Sequence, residues 1–286
     1  MNEVSDSMER LEAHRTFFAR LITASVGIPG GSGRLAEAFA ATPRERFVGP
    51  GPWRVFTAAG YIETPSDDPA FLYQDITVAV EAEGQINNGQ PTLHALCLMT
   101  LNVKEGETVV HVGAGTGYYT AVLARLAGPS GAVHGYEIEE RLAQRAAGNL
   151  ADLPNVTIHS RSGSEGPLPG CDVLYVSAGA TGPLDVWLDA LRPGGRLLFP
   201  LTPAQGAGSL LLVTRTAEDL FSARFMGRVL FIPCVGARDD ETAQKLTEAF
   251  KRDDLKNVQS LRRGTSPDET CWCPGNGWWL STSPAA

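Results

Sequence analysis

The stretch that most limits how this chain folds is VVHVGAGTG at residues 109–117. A β-branched run, residues 108–112, enters a Gly-x-Gly-x-Gly loop, and an Ala/Leu-rich segment, residues 118–126, leaves it. Strand, tight glycine turn and helix in that order predict a unit of a parallel, doubly wound α/β sheet. Glycine has no Cβ, so it permits both a sharp turn and close approach of a ligand to the backbone. The helix N-terminus then presents unpaired N–H groups to that ligand.

The alternation continues on both sides of the loop. Helices are expected over residues 92–101, 118–126, 140–150 and 184–190, and strands over 108–112, 133–138, 156–159, 171–176 and 196–200. Residues 210–214 and 228–233 are expected to add edge strands. Upstream, Leu11, Phe17, Phe18, Leu21 and Ile22 recur at helical spacing within residues 8–24, and residues 34–41 form a second expected helix. Residues 49–75 carry Pro52, Pro65 and Pro69 and read as a loop-rich cap. Past residue 235 the chain turns polar, with a helix expected over 242–251 and a loop over 263–267. The tail with Trp272, Trp278 and Trp279 is too apolar for a solvated linker.

Charge narrows the partners. The 286 residues carry 24 Lys and Arg against 32 Asp and Glu, a net charge of −8. That balance argues against a broad phosphate-binding face and hence against nucleic acid. No apolar run approaches the ~18 residues of a membrane span. The charged N-terminus lacks the apolar core of a secretory signal. Five cysteines, an odd number, read as reduced thiols in a cytoplasmic protein. Cys271 and Cys273 flank Trp272, but no His follows His159, so the donor set of a structural metal is not assembled and no metal is expected.

Glu137 closes the expected strand after the glycine loop. A carboxylate there can accept both ribose hydroxyls of an adenosine. The glycine spacing departs from the Gly-x-Gly-x-x-Gly of dinucleotide enzymes, and no hydride-transfer site stands out, which disfavours a dehydrogenase.

Several blocks together resemble the protein-L-isoaspartate O-methyltransferases, within the class I S-adenosylmethionine methyltransferases. They are PRERFV at 43–48, QINNGQPTLHA at 85–95, VVHVGAGTGYYTAVLA at 109–124, DVLYVSA at 172–178 and LRPGGRL at 191–197. The resemblance runs roughly from residue 35 to 203. It implies a doubly wound, mostly parallel sheet of the seven-stranded methyltransferase type, with helices on both faces. The chain then divides into an N-terminal helical and loop cap (1–75), a cofactor-binding domain (76–235) and a C-terminal extension packed on the core (236–286). It implies S-adenosyl-L-methionine as cofactor and a peptide or protein carboxylate as acceptor. The residues it places at the cofactor are Gly113, Ala114, Gly115, Thr116, Gly117 and Tyr118, then Glu137, Ile138, Ser162, Gly163 and Ser177. Asn88, Gly89 and Gln90 fall at the reacting groups, and Gln85, Asn87 and His94 at the acceptor.

Two departures stand inside these blocks. The family reads "ISQP" or "ISAP" before its first core helix, and its Ser position falls on Gly89. Its "GDG" appears as Arg161-Ser162-Gly163, without the acidic group. The cofactor is therefore implied more strongly than the acceptor. A tailoring methyltransferase of a modified peptide or small acid stays open. So does a non-catalytic protein that binds the cofactor or a partner. The sequence leaves the oligomeric state open.

Overall fold

The computed structural model describes residues 2–31, 33–81, 86–252 and 254–285. In chain order the helices are α1 (Asn2–Ser25), α2 (Arg34–Ala40), α3 (Glu45–Val48), α4 (Pro91–Leu101), α5 (Tyr118–Ala127), α6 (Glu140–Asn149), α7 (Asp185–Ala190) and α8 (Asp240–Ala249). The strands are β1 (Arg54–Thr57), β2 (Gly60–Glu63), β3 (Thr108–Val112), β4 (Ala132–Glu137), β5 (Val156–Ser160), β6 (Cys171–Val176), β7 (Leu191–Leu201), β8 (Gly208–Ala217), β9 (Leu220–Val229), β10 (Ser260–Arg263), β11 (Cys271–Pro274) and β12 (Trp278–Ser281). Two compact units result. One comprises residues 1–106, 114–133 and 139–159; the other comprises 107–113, 134–138 and 160–286.

The first unit is mainly helical. α1 buries Phe18, Ala19 and Ile22, while Phe17 and Leu21 on its other side stay exposed. α4 starts with Pro91 at its first position and ends at Asn102 in a left-handed cap. Proline is pre-organised for the first and asparagine tolerates the second. Every residue of α5 except Arg125 is buried, the pattern of a helix surrounded by protein. Residues 49–75 are more ordered than a loop-rich cap: β1 and β2 form an antiparallel hairpin inside them. Tight spacing explains the miss, since only Ala58 and Ala59 separate two four-residue strands.

The second unit carries the sheet, with strands in the order β11-β12-β10-β9-β8-β7-β6-β3-β4. β3 pairs β6 in parallel, and β6 pairs β7 in parallel. From β7 through β8, β9, β10 and β12 to β11 every pairing is antiparallel. The alternation predicts a parallel, doubly wound sheet; β3, β6 and β7 have that form, and an antiparallel block from β7 to β11 lengthens it. β3 and β6 are buried along nearly their whole length, and so are residues 197–201 of β7, as strands covered on both faces must be, whereas residues 192–194 at the start of β7 are exposed. The core around them includes Val110, Leu174, Trp187, Leu197 and Phe199.

Two details differ from expectation. β9 ends at Val229, so residues 230–233 leave the sheet instead of forming an edge. The tail, by contrast, supplies three strands. All four residues of β12 are buried, so it shows none of the period-two alternation by which a half-buried strand is read. Phe225, Phe250 and Trp272 meet there with ring centroids 5.1 to 5.7 Å apart.

Candidate functional site

The second unit gathers the C-terminal ends of β3, β4 and β6. The Gly113 amide donates to the Tyr136 carbonyl at 2.9 Å, and the Ser177 amide donates to the Val112 carbonyl at 2.8 Å. Gly113 has φ +79°, and a Cβ there would stand 3.7 Å from Ser177. Gly163 has no such freedom: a Cβ would press Val112 at 2.6 Å and Tyr136 at 3.1 Å. The Gly163 carbonyl accepts from Trp187 Nε1 at 2.8 Å. Ser162 Oγ shares a 2.6 Å hydrogen bond with Ser164 Oγ. Glu137 is buried at the end of β4, and the next residue, Ile138, is 46% exposed. Gly113, Glu137, Ile138, Ser162, Gly163 and Ser177 thus lie at or beside strand C-termini, where open α/β sheets take ligands.

His111, on β3, lies behind this rim. Its Nε2 and Ser177 Oγ share a hydrogen bond at 2.9 Å, and its ring stacks on Tyr175. Complete burial holds its pKa down at about 3, from an ordinary 6.5. As pH falls, the unfolded chain therefore takes up this proton before the folded one. The stabilisation is full above about 6.5 and is lost progressively toward about 3. We expect His111→Gln to flatten stability against pH in that window, read by denaturant unfolding at a series of pH values. An unchanged slope would assign the titration to other groups.

The first unit carries the rest of the glycine loop. Gly115 has φ +56° and nothing within 4 Å of where a Cβ would stand. A Cβ at 115 would therefore meet no described residue other than its chain neighbours. Gly117, with φ +97°, is closed in: a Cβ would meet Leu150 Cδ1 at 2.7 Å. The Thr116 carbonyl accepts from Asn149 Nδ2 at 3.0 Å, which ties the loop to α6. Ala114 and Thr116 are both buried. Tyr118, expected at the cofactor, is buried against Phe39 and Phe47. Its ring lies edge-on to Phe47 at 5.5 Å, and its buried hydroxyl finds no hydrogen bond among the described residues. Burial keeps that phenol protonated.

The same unit holds the loop read as the acceptor segment. Asn87 pairs with Ala79, and Asn88 N–H donates to the Val78 carbonyl at 3.0 Å. Asn88 Oδ1 accepts from the Val78 amide at 3.0 Å. Gly89 N–H donates to Asn87 Oδ1, a local turn of the kind Asn-Gly sequences favour. Gln90 Nε2 donates to Asp75 Oδ2, and Thr92 N–H to Asp75 Oδ1. His94 is buried and stacks on Tyr119, centroids 3.6 Å apart and planes within 8°. The Tyr119 hydroxyl donates to the Gly89 carbonyl at 3.4 Å. Gln85 lies outside the described residues.

The glycine at 89 has a structural cause. Its φ is +67°, and a Cβ would stand 2.2 Å from His94 Nε2. The space a side chain would take is filled by imidazole. We expect Gly89→Ser to destabilise the protein by about 1–3 kcal/mol, from backbone strain and overpacking. Adding His94→Ala should relieve the steric part. Denaturant unfolding of the two single variants and the double variant reads the coupling. Strict additivity would show that the two positions do not compete for this space.

Sequence reasoning passed over two residues that build this segment: Arg44 and Asp75. Arg44 was visible only as part of the PRERFV block, and Asp75 only as the end of a loop. Their contacts span many residues of sequence, so no local pattern reports them.

Comparison with known proteins speaks to the family and the fold. The family model described as protein-L-isoaspartate(D-aspartate) O-methyltransferase matches residues 30–239. A protein-L-isoaspartate O-methyltransferase of Brucella anthropi is 30% identical over 210 residues, covering 71% of this chain and 86% of that protein. A solved protein-L-isoaspartate O-methyltransferase gives a TM-score of 0.64 at 24% identity, covering 80% of this chain and 68% of the other. A Plasmodium falciparum structure of this kind, in complex with S-adenosyl-L-homocysteine, gives 0.60 at 17% identity, covering 76% and 98%. At these identities the two structures speak for the fold. The family match takes in both the acceptor segment and the glycine loop, and the chain belongs to the protein-L-isoaspartate(D-aspartate) O-methyltransferase family.

Proposed function

We propose that the protein is an S-adenosyl-L-methionine-dependent carboxyl O-methyltransferase whose acceptors are isoaspartyl residues of peptides and proteins. The observation that carries this reading is the family match over residues 30–239. The residues present suit the cofactor. In the first unit Gly115 stands at positive φ ahead of α5, and in the second Glu137 brings a carboxylate to the end of β4. On this reading Gly113, Ala114, Gly115, Thr116 and Gly117 hold the amino-acid part, and Glu137 takes the ribose hydroxyls. Ile138 offers apolar surface to the adenine, with Ser162, Gly163 and Ser177 beside it.

When bound, S-adenosyl-L-methionine would supply an electrophilic methyl group, with its sulfur as the leaving group. The acceptor carboxylate is ionised at neutral pH, with a pKa of ~4, so no general base is required. The work left to the protein is alignment and exclusion of water. Asn88, Gly89 and Gln90 align the acceptor, with Asn87 and His94 supporting the segment. No helix among the described residues is long and apolar enough to cross a membrane.

The test is the chemical form of the transferred label. Methyl from labelled S-adenosyl-L-methionine should appear on peptide as a base-labile ester that releases methanol in alkali. Base-stable label would mean N- or S-methylation and would overturn the reading. A second acceptor, the side chain of ordinary aspartate, is favoured by one observation: the imidazole of His94 fills the place of a side chain at position 89.

A further inference from the structure

Arg44 is fully buried just before α3, yet among the described residues its hydrogen-bond partners are oxygens of uncharged groups. Nη1 donates to the carbonyls of Leu72 and Gln74, the latter at 3.0 Å. Nη2 donates to the Ile76 carbonyl at 3.0 Å and to Asn88 Oδ1 at 3.4 Å. Its guanidinium lies over the rings of Phe18 and Tyr118, 5.5 and 5.8 Å from their centroids. Burying a cation among neutral partners is costly, so a fork that makes four such bonds invites the question of what it fixes.

Two arms lead from it to the acceptor segment. The three carbonyls bracket Asp75, whose carboxylate accepts from Gln90 Nε2 at 2.8 Å and from Thr92 N–H at 2.7 Å. The second arm is direct. Arg44 and the Val78 amide both donate to Asn88 Oδ1, which sets the face of that amide and leaves its buried Nδ2 without a partner among the described residues. Residues 88, 90 and 92 are therefore pinned on both sides of Gly89.

We propose that Arg44 is the positioning residue of the acceptor segment, acting through Asp75 and Asn88. The proposal rests on the reading of residues 87–94 as the acceptor side of a carboxyl methyltransferase. Lysine keeps the charge but is a single point donor. It cannot serve four oxygens in the plane of a fork.

The experiment compares wild type, Arg44→Lys and Asp75→Asn, all full length. It measures unfolding midpoint, S-adenosyl-L-homocysteine affinity, methyl transfer to an isoaspartyl peptide, and amide exchange over residues 77–92. Asp75 is exposed, so its variant is expected to fold even if Arg44→Lys does not. In both variants kcat should fall by about 10²-fold, the scale of a 1 Å misalignment, with cofactor affinity within about twofold. Exchange in residues 77–92 should rise while exchange in the sheet does not. Variants that keep wild-type kcat and local exchange would overturn the proposal. So would a loss shared equally by exchange everywhere, which marks a merely structural role. If wild type itself fails to methylate the peptide, the acceptor reading falls, and the exchange pattern still decides whether Arg44 holds the segment.

Discussion

Gly115→Val is expected to abolish S-adenosyl-L-methionine binding, weakening it by about 100-fold or more, equivalent to roughly 2.7 kcal/mol. Two effects add. Valine is β-branched and fits poorly at φ +56°, a strain of about 1–3 kcal/mol. Its Cβ also stands where no described residue other than the chain neighbours comes within 4 Å, the space the proposed cofactor occupies. The strain should lower the unfolding midpoint modestly, while the steric block should fall on binding alone. Titration calorimetry with S-adenosyl-L-homocysteine, run with Gly115→Ala as an intermediate, reads the two apart. Affinity within about threefold of wild type in the valine variant would place the cofactor off this loop.

Trp187→Ala is expected to be the most destabilising single change, at about 3–5 kcal/mol. The indole on α7 is wholly buried, packs against Phe199 at 5.9 Å, and belongs to the core of the second unit. Its Nε1 also satisfies the Gly163 carbonyl, so truncation leaves both a cavity and a buried unpaired acceptor. Gly163 has no room to shift toward Val112 or Tyr136. Loss of the indole therefore frees the Ser162-Gly163 turn only in the direction the indole vacates. Trp187→Phe separates the contributions. It keeps most of the packing and should cost about 1–3 kcal/mol for the orphaned carbonyl. Denaturant unfolding measures both. An alanine variant within 1 kcal/mol of wild type would contradict the packing account.

What the sequence made legible follows from how local each signal is. β3, β6, α4 and α5 rest on contiguous runs, and each was placed within one or two residues. Glu137 and Gly115 were legible for the same reason: a strand end and a glycine turn are defined by their immediate neighbours. The tail strands were not. Trp278, Trp279, Leu280 and Ser281 are all buried, and without alternation a short apolar run has no readable period. The reason for Gly89 was also hidden. The residue looked like a lost hydroxyl, whereas the cause is His94 Nε2, which reaches position 89 only once α4 is folded. Arg44 is the extreme case, since its partners lie 28 to 44 residues away.

The central claim is tested most directly by methyl transfer from labelled S-adenosyl-L-methionine to a matched peptide pair, one with isoaspartate and one with ordinary aspartate at the same position. Cofactor binding is measured on the same sample. The account predicts selective, base-labile labelling of the isoaspartyl peptide. Tight cofactor binding with neither peptide labelled, or with only the aspartyl peptide labelled, would contradict it.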